Sequence, residues 1–250
     1  MSGHSKWATI KHKKGAADAK RGKLFAKLIR QVEVAARQGG ADVDANPTLR
    51  TMFQKARDAS VPLDTIERAV KRATGDLDGV VYEQITYEGY APHGVAVLID
   101  VLTDNRNRSG SEVRTIFSRA GGSLAEPGSV AWQFDRKGHV IVDRGADEDD
   151  LMLAALDAGA EDLSDDEVVW RVTCPPSDVE DVRKALEEAD FKVTSSDTAM
   201  VAANLVPLDD AGDAKSVLAL IDALEDSDDV QDVHANFDIS DDVFAALDAG

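Results

Sequence analysis

The chain is short of several things, and each shortage narrows its chemistry. Its 250 residues hold one cysteine, Cys174. That excludes an internal disulfide or a cluster of thiolate ligands, and it suits a reducing cytoplasm. No apolar run approaches the ~20 residues that cross a bilayer, so no membrane association is expected. Met1-Ser2-Gly3-His4-Ser5-Lys6-Trp7 lacks the apolar core of a secretory signal. Aromatic residues make up only 5%, but the 43% hydrophobic content recurs periodically, so packed, helix-rich domains are expected rather than disorder.

Catalytic patterns are equally scarce. His4, His12, His93, His139 and His234 are scattered, without metal-ligand spacing. Glycine-rich phosphate loops and the Gly-x-Ser-x-Gly nucleophile turn are absent. Cys174 lies in an apolar stretch beside Pro175-Pro176, which reads as a buried, inert thiol. The run Asp147 to Asp150 lacks the ligand order of a calcium loop and instead begins a helix, where negative charge suits the dipole. The expectation is a non-enzymatic protein with no catalytic residue, cofactor or metal.

What is present is charge, unevenly distributed. The net charge is −19, yet residues 1–80 hold 16 Lys+Arg against 9 Asp+Glu, a balance of +7, while the rest holds 12 against 38. In the first thirty positions Lys6, Lys11, Lys13, Lys14, Lys20, Arg21, Lys23, Lys27 and Arg30 meet one acid, Asp18. Such asymmetry points to a polyanion-binding arm on an acidic body. Trp7, between Lys6 and Lys11, either stacks on an exposed base or packs the tail onto the bundle. His4 and His12 assist the basic arm. A second candidate is the segment Asp104 to Ser109, where Arg106 and Arg108 either clamp phosphate or pair with Asp104 or Asn105 to shape a turn.

Periodicity predicts helices over 17–38, from Asn46-Pro47 up to Val61-Pro62, and over 64–74. The first places Leu24, Leu28, Val32 and Ala35 on one face and ends at Gly39-Gly40. From Val80 the pattern alternates. Strands are predicted around 81–87 and 94–102, and then Ser109-x-x-Glu112 reads as a capping box opening a helix. Two strands, 130–134 and 138–142, are predicted about a turn at Asp135 to Gly138. Helices follow at 147–158, 177–189 and 211–225, with strands at 168–174, 191–202 and 230–237. The interspersion, without regular βαβ units, predicts an α+β fold of mainly antiparallel sheets behind an N-terminal three-helix bundle.

Several of these stretches resemble the YebC/PmpR family. They include Gly3-His4-Ser5-Lys6-Trp7-Ala8, Ile10 to Lys14, Asp18 to Lys23, Asn46-Pro47, and Asp64 to Ala69. Tyr87-Glu88-Gly89-Tyr90, Leu102 to Arg108, Gly128-Ser129-Val130, Leu220 to Asp226, Asp229-Val230-Gln231 and Asn236-Phe237 extend the resemblance over the whole chain. The resemblance implies three domains around a cleft. These are a basic bundle at 1–79, a discontinuous α+β domain at 80–135 plus 204–250, and an inserted α+β domain at 136–203. It implies a DNA-binding transcriptional regulator acting on promoter regions, with a translation factor binding the ribosome or its RNA as the alternative. Lys6, Trp7, Lys11, His12, Lys13, Lys14, Lys20, Arg21, Lys23, Lys27, Arg30, Arg106 and Arg108 are then the expected nucleic-acid contacts. The Asp-rich stretches, among them Asp226 to Asp229, depart from a phosphate-binding surface.

Overall fold

The structure, a computed structural model, describes residues 18–75, 81–166 and 168–248. They divide into two compact units, 18–75 with 136–199, and 81–135 with 200–248.

In the first unit, α1 (Asp18–Gly39), α2 (Pro47–Asp58) and α3 (Leu63–Gly75) form the predicted bundle. Its core is Leu28, Val32, Ala35, Ala36, Leu49, Ala56, Ile66, Ala69, Val70 and Ala73. Leu24 departs from expectation and is exposed. The α1–α2 corner is organised by one side chain. Asn46 Oδ1 accepts from Leu49 N (3.0 Å), capping α2 as predicted. Its Nδ2 donates to the carbonyls of Ala35 (2.9 Å), in the last turn of α1, and Gly40 (3.0 Å), just past its end. Gly39 permits this, since a Cβ there would lie 2.5 Å from the Asn46 amide.

The same unit contains a four-stranded sheet of order β5-β6-β4-β7. Its strands are β4 (Phe134–Asp143), β5 (Asp162–Asp165), β6 (Val169–Cys174) and β7 (Val193–Ala202). β6 is antiparallel to both β4 and β5. Helices α5 (Glu148–Asp157) and α6 (Val179–Glu188) bury Leu151, Ala155, Val182 and Leu186 against Val140, Val142, Trp170 and Val172. Asp147 caps α5 as expected, accepting from Asp149 N and Asp150 N. Arg183, on α6 and nearly buried, donates to both oxygens of Asp58 at the end of α2 (2.8 and 3.3 Å), to Ser196 Oγ (2.9 Å) and to Glu187. Lys55 pairs with Asp197 beside it (2.5 Å).

Two expectations for the middle of the chain are corrected. Residues 134–143 form one continuous strand, and 131–133 form a 3-10 turn in place of a strand. The polar run Asp135 to Gly138 resembles a turn, but Gly138 serves close packing. Its added Cβ would sit 2.2 Å from Val179 Cγ2 and 2.8 Å from Cys174 Sγ. Likewise Ser109 does not open a helix. α4 (Arg106–Arg119) begins a turn earlier, with Asn105 Oδ1 accepting from Arg108 N (3.1 Å). This earlier start turns Ser109 inward, alongside Val113 and Phe117.

The second unit is built on an antiparallel sheet of order β3-β1-β2-β9. Here β1 is Glu83–Tyr90, β2 Ala96–Thr103, β3 Ser123–Leu124 and β9 Val230–Ala235. Val97, Ile99 and Val101 of β2 alternate onto one face, where Val113 and Phe117 of α4 and Val217, Leu220, Ile221 and Leu224 of α7 (Ala211–Glu225) cover them. The opposite face packs Ala96 and Leu98 on Val130 and Phe134. Gly89 is required by this arrangement, because a Cβ would meet the Phe117 ring at 2.6 Å and Ser123 O at 2.8 Å. The predicted last strand stops at Ala235, and β10 (Phe237–Ile239) then pairs in parallel with β8 (Val206–Leu208). A further helix, α8 (Asp241–Asp248), was not evident from pattern.

Candidate nucleic-acid interface

Lys6, Trp7, Lys11, His12, Lys13 and Lys14 lie outside the described residues, and Lys20 is placed in the first turn of α1. Farther along α1, Arg21 and Lys23 are exposed, and Lys27 and Arg30 flank the buried stripe as half-buried residues. The Arg21 guanidinium lies over the Phe25 ring, 5.4 Å from its centroid. The helical period thus separates an apolar face that binds α2 and α3 from a cationic one.

The bundle holds other cations, and geometry sorts them. Arg50 donates to the carbonyls of Val43 and Asp44, Arg68 to Asp64 O, and Arg72 pairs with Glu33. Arg57 and Lys71 are exposed, and among the described residues no acid pairs with either. Sequence reasoning passed over these two because both stand beyond the dense N-terminal run, next to carboxylates that turn out not to reach them. Residues 18–75 together carry 12 Lys+Arg and 7 Asp+Glu. Residues 81–135 with 200–248 carry 5 against 20.

Arg106 and Arg108 are in the first turn of α4 rather than in a loop. Arg108 donates to Asp104 Oδ1 (2.8 Å) and Asp229 Oδ2 (2.8 Å), and these two carboxylates hold its guanidinium firmly charged. Asp229 also accepts from Ser109 Oγ (2.7 Å) and Thr103 Oγ1 (3.0 Å). Burial favours its neutral form, but Arg108 and the two hydroxyls outweigh that and lower its pKa. Asp229 is therefore a buried tie between β9 and the start of α4, not part of the acidic surface read from the Asp226 to Asp229 run. Arg106 is exposed and, among the described residues, unpaired.

Glu88 forms a second buried tie. Its carboxylate accepts from the backbone N–H groups of Gly128 (2.6 Å), Val130 (2.6 Å) and Ala131 (2.9 Å). Burial alone would raise its pKa, yet these donors hold it lowered. One constellation looks catalytic at first sight. His93 Nδ1 is 3.4 Å from Asp213 Oδ2, and its Nε2 is 3.3 Å from Ser216 Oγ. The Ser216 hydroxyl, however, donates to Asp213 O at 2.7 Å, so its proton is not presented to the imidazole. Among the described residues no group of three His, Cys, Asp or Glu could hold a metal ion, and no helix is long and apolar enough to cross a membrane.

Residues 5–76 match the model of the TACO1/YebC protein N-terminal domain, and residues 82–237 match that of the TACO1/YebC second and third domain. The chain belongs to the TACO1/YebC family. Relatives named probable transcriptional regulatory protein span it end to end. One from Corynebacterium diphtheriae is 57% identical and covers 100% of both chains, and one from Halothermothrix orenii is 54% identical and covers 99% of each. The crystal structure of a conserved hypothetical protein from Aquifex aeolicus has the same fold (TM-score 0.82, 42% identity), covering 90% of this chain and 93% of that one. These names support a regulatory role. Within the family's motifs, Asn46-Pro47, Glu88 with Gly128-Ser129-Val130, and Thr103 to Arg108 with Asp229 now have a physical reason: each joins two separated stretches of backbone through buried polar contacts.

Proposed function

We propose that this protein is a non-enzymatic, DNA-binding regulator of transcription that grips the sugar-phosphate backbone through residues 1–79. The observation that carries this reading is the segregation of charge onto the bundle within a chain of net charge −19. Arg21 and Lys23 stand on the solvent side of α1, and Arg57 and Lys71 add exposed cations on α2 and α3. Each lysine or arginine that neutralises a phosphate releases condensed counterions, so affinity is set by salt and carries little sequence information. The acidic remainder limits indiscriminate attachment. The family's transcriptional names favour DNA as the polymer.

The test is binding of a promoter duplex as a function of salt, for wild type and for a variant with Lys11, Lys13 and Lys14 changed to Glu. The expected result is weaker binding to every sequence and a flatter salt dependence in the variant. Unchanged affinity in the folded variant would refute the assignment. Sedimentation of wild type with ribosomes, without measurable DNA binding, would overturn DNA as the target.

A further inference from the structure

We infer that the exposed face of α4 is a second contact for nucleic-acid backbone, carried by Arg114 and Arg119 with Ser111 and Ser118. This rests on the nucleic-acid-binding reading above and assigns it a further site.

Four of the five Lys+Arg residues in 81–135 and 200–248 lie on this single helix: Arg106, Arg108, Arg114 and Arg119. The same stretches carry 20 acids, of which α4 holds only Glu112. Charge scattered to keep a surface soluble would not concentrate in this way.

The arginines also divide by role. Arg108 is spent on Asp104 and Asp229. Arg106, Arg114 and Arg119 are exposed, and among the described residues none has an acidic partner. A protein this rich in carboxylates could pair them readily, and it does so at Lys137–Glu161, Arg144–Asp165 and Lys192–Asp143.

The residues between the arginines are small and polar. Asn107, Ser111, Thr115 and Ser118 are all exposed, at spacings of four, four and three, so they form one stripe with Arg114 beside it. The Thr115 hydroxyl donates to Ser111 O (2.8 Å), which leaves Asn107, Ser111 and Ser118 as the stripe's donors. Arginine, serine and asparagine are among the side chains that donate to phosphate oxygens. Arg114 and Arg119 are about 7.5 Å apart along the axis and about 140° apart around it, so they flank the stripe on its two sides. Side chains of this length can bend from both flanks toward a backbone laid along the stripe.

The helix is also fixed in place. Its inner face buries Ser109, Val113 and Phe117, and its first turn is tied to β9 through Asp229. Cations on such a support lose little freedom on binding. An acidic protein would meet the same guanidiniums, but Asn107, Ser111 and Ser118 offer short donors that suit oxygens crowded on a phosphate. We therefore assign nucleic acid.

The experiment compares duplex DNA binding by the full-length chain as wild type, Arg114→Gln/Arg119→Gln, Arg114→Lys/Arg119→Lys and, as a control, Lys184→Gln. Lys184 is exposed on α6, far into the acidic sequence. If each arginine neutralises one phosphate, the glutamine pair lowers the salt slope by about 1.8 and weakens binding roughly 60-fold at about 0.1 M salt. The lysine pair retains most of the slope, and Lys184→Gln is unchanged. Thermal midpoints of all variants verify folding. A glutamine pair that keeps the wild-type slope and affinity, while the basic-arm variant loses both, overturns this inference and leaves the proposed function standing. A wild type that binds no duplex overturns the proposed function and this inference with it. Tighter binding of a polyglutamate peptide than of DNA, lost in the glutamine pair, would replace nucleic acid by an acidic protein.

Discussion

Glu88→Gln is the sharpest probe of how the second unit is held together. The native carboxylate offers Oε1 to Gly128 N and Oε2 to the N–H groups of Val130 and Ala131. A glutamine amide is nearly isosteric, but it presents one oxygen and one NH2. Whichever way it turns, at least one of those backbone donors faces another donor, and the bonds that survive lose their charge assistance. A buried N–H without a partner costs about 1–3 kcal/mol, and exchanging a charged acceptor for a neutral one costs about 1 kcal/mol per remaining bond. The expected loss is about 2–5 kcal/mol, read by urea unfolding. Faster hydrogen exchange at residues 128–131 would localise it. The pH dependence provides a second check. The folded pKa of Glu88 lies below its ordinary value of 4.5. Its stabilisation is therefore complete above about pH 4.5 and disappears as pH falls through the lower folded value. The variant should lack this part of the acid transition. A Glu88→Gln protein within about 0.5 kcal/mol of wild type, with unchanged exchange at 128–131, would refute the view that this carboxylate fixes the turn.

Asn46→Ala removes the α2 cap and both bonds donated to α1, a cost of about 2–4 kcal/mol, whereas Asn46→Ser retains the cap and is expected to recover about 1 kcal/mol. Hydrogen exchange in α1 and α2 measures both. His139 is held at a pKa of about 4, chiefly by burial and also by Arg171. The unfolded chain therefore binds a proton that the folded chain refuses between pH 6.5 and 4, and stability falls as pH drops across that window, by about 3 kcal/mol in all. His139→Gln should flatten this part of the stability profile, and an unaltered slope would contradict the assignment.

Much of the architecture was readable because burial imposes periodicity. The buried faces of α3 and α7 follow directly from the 3.6-residue spacing of Ile66, Ala69, Val70 and Ala73, and of Val217, Leu220, Ile221 and Leu224. The Asn46-Pro47 start was legible for a similar reason, since a cap is local chemistry. The short strands β5, β8 and β10 were not, because three or four residues provide too little alternation and their pairing is decided by distant partners. In the same way, the Asp135 to Gly138 run looked like a turn until Val179 and Cys174, about 40 residues away, were seen to need the space that Gly138 leaves.

For the candidate interface, the sequence by itself determined where positive charge is concentrated, since counting requires no coordinates. Only the tertiary structure decided which cations are committed. Arg108 and Asp229 are 121 positions apart and meet through the pairing of β9 with β2, which ties this arginine into the fold. The same packing of α4 leaves Arg114 and Arg119 facing water. Charge is a property of composition, whereas its availability depends on which neighbours the fold brings within a few ångströms.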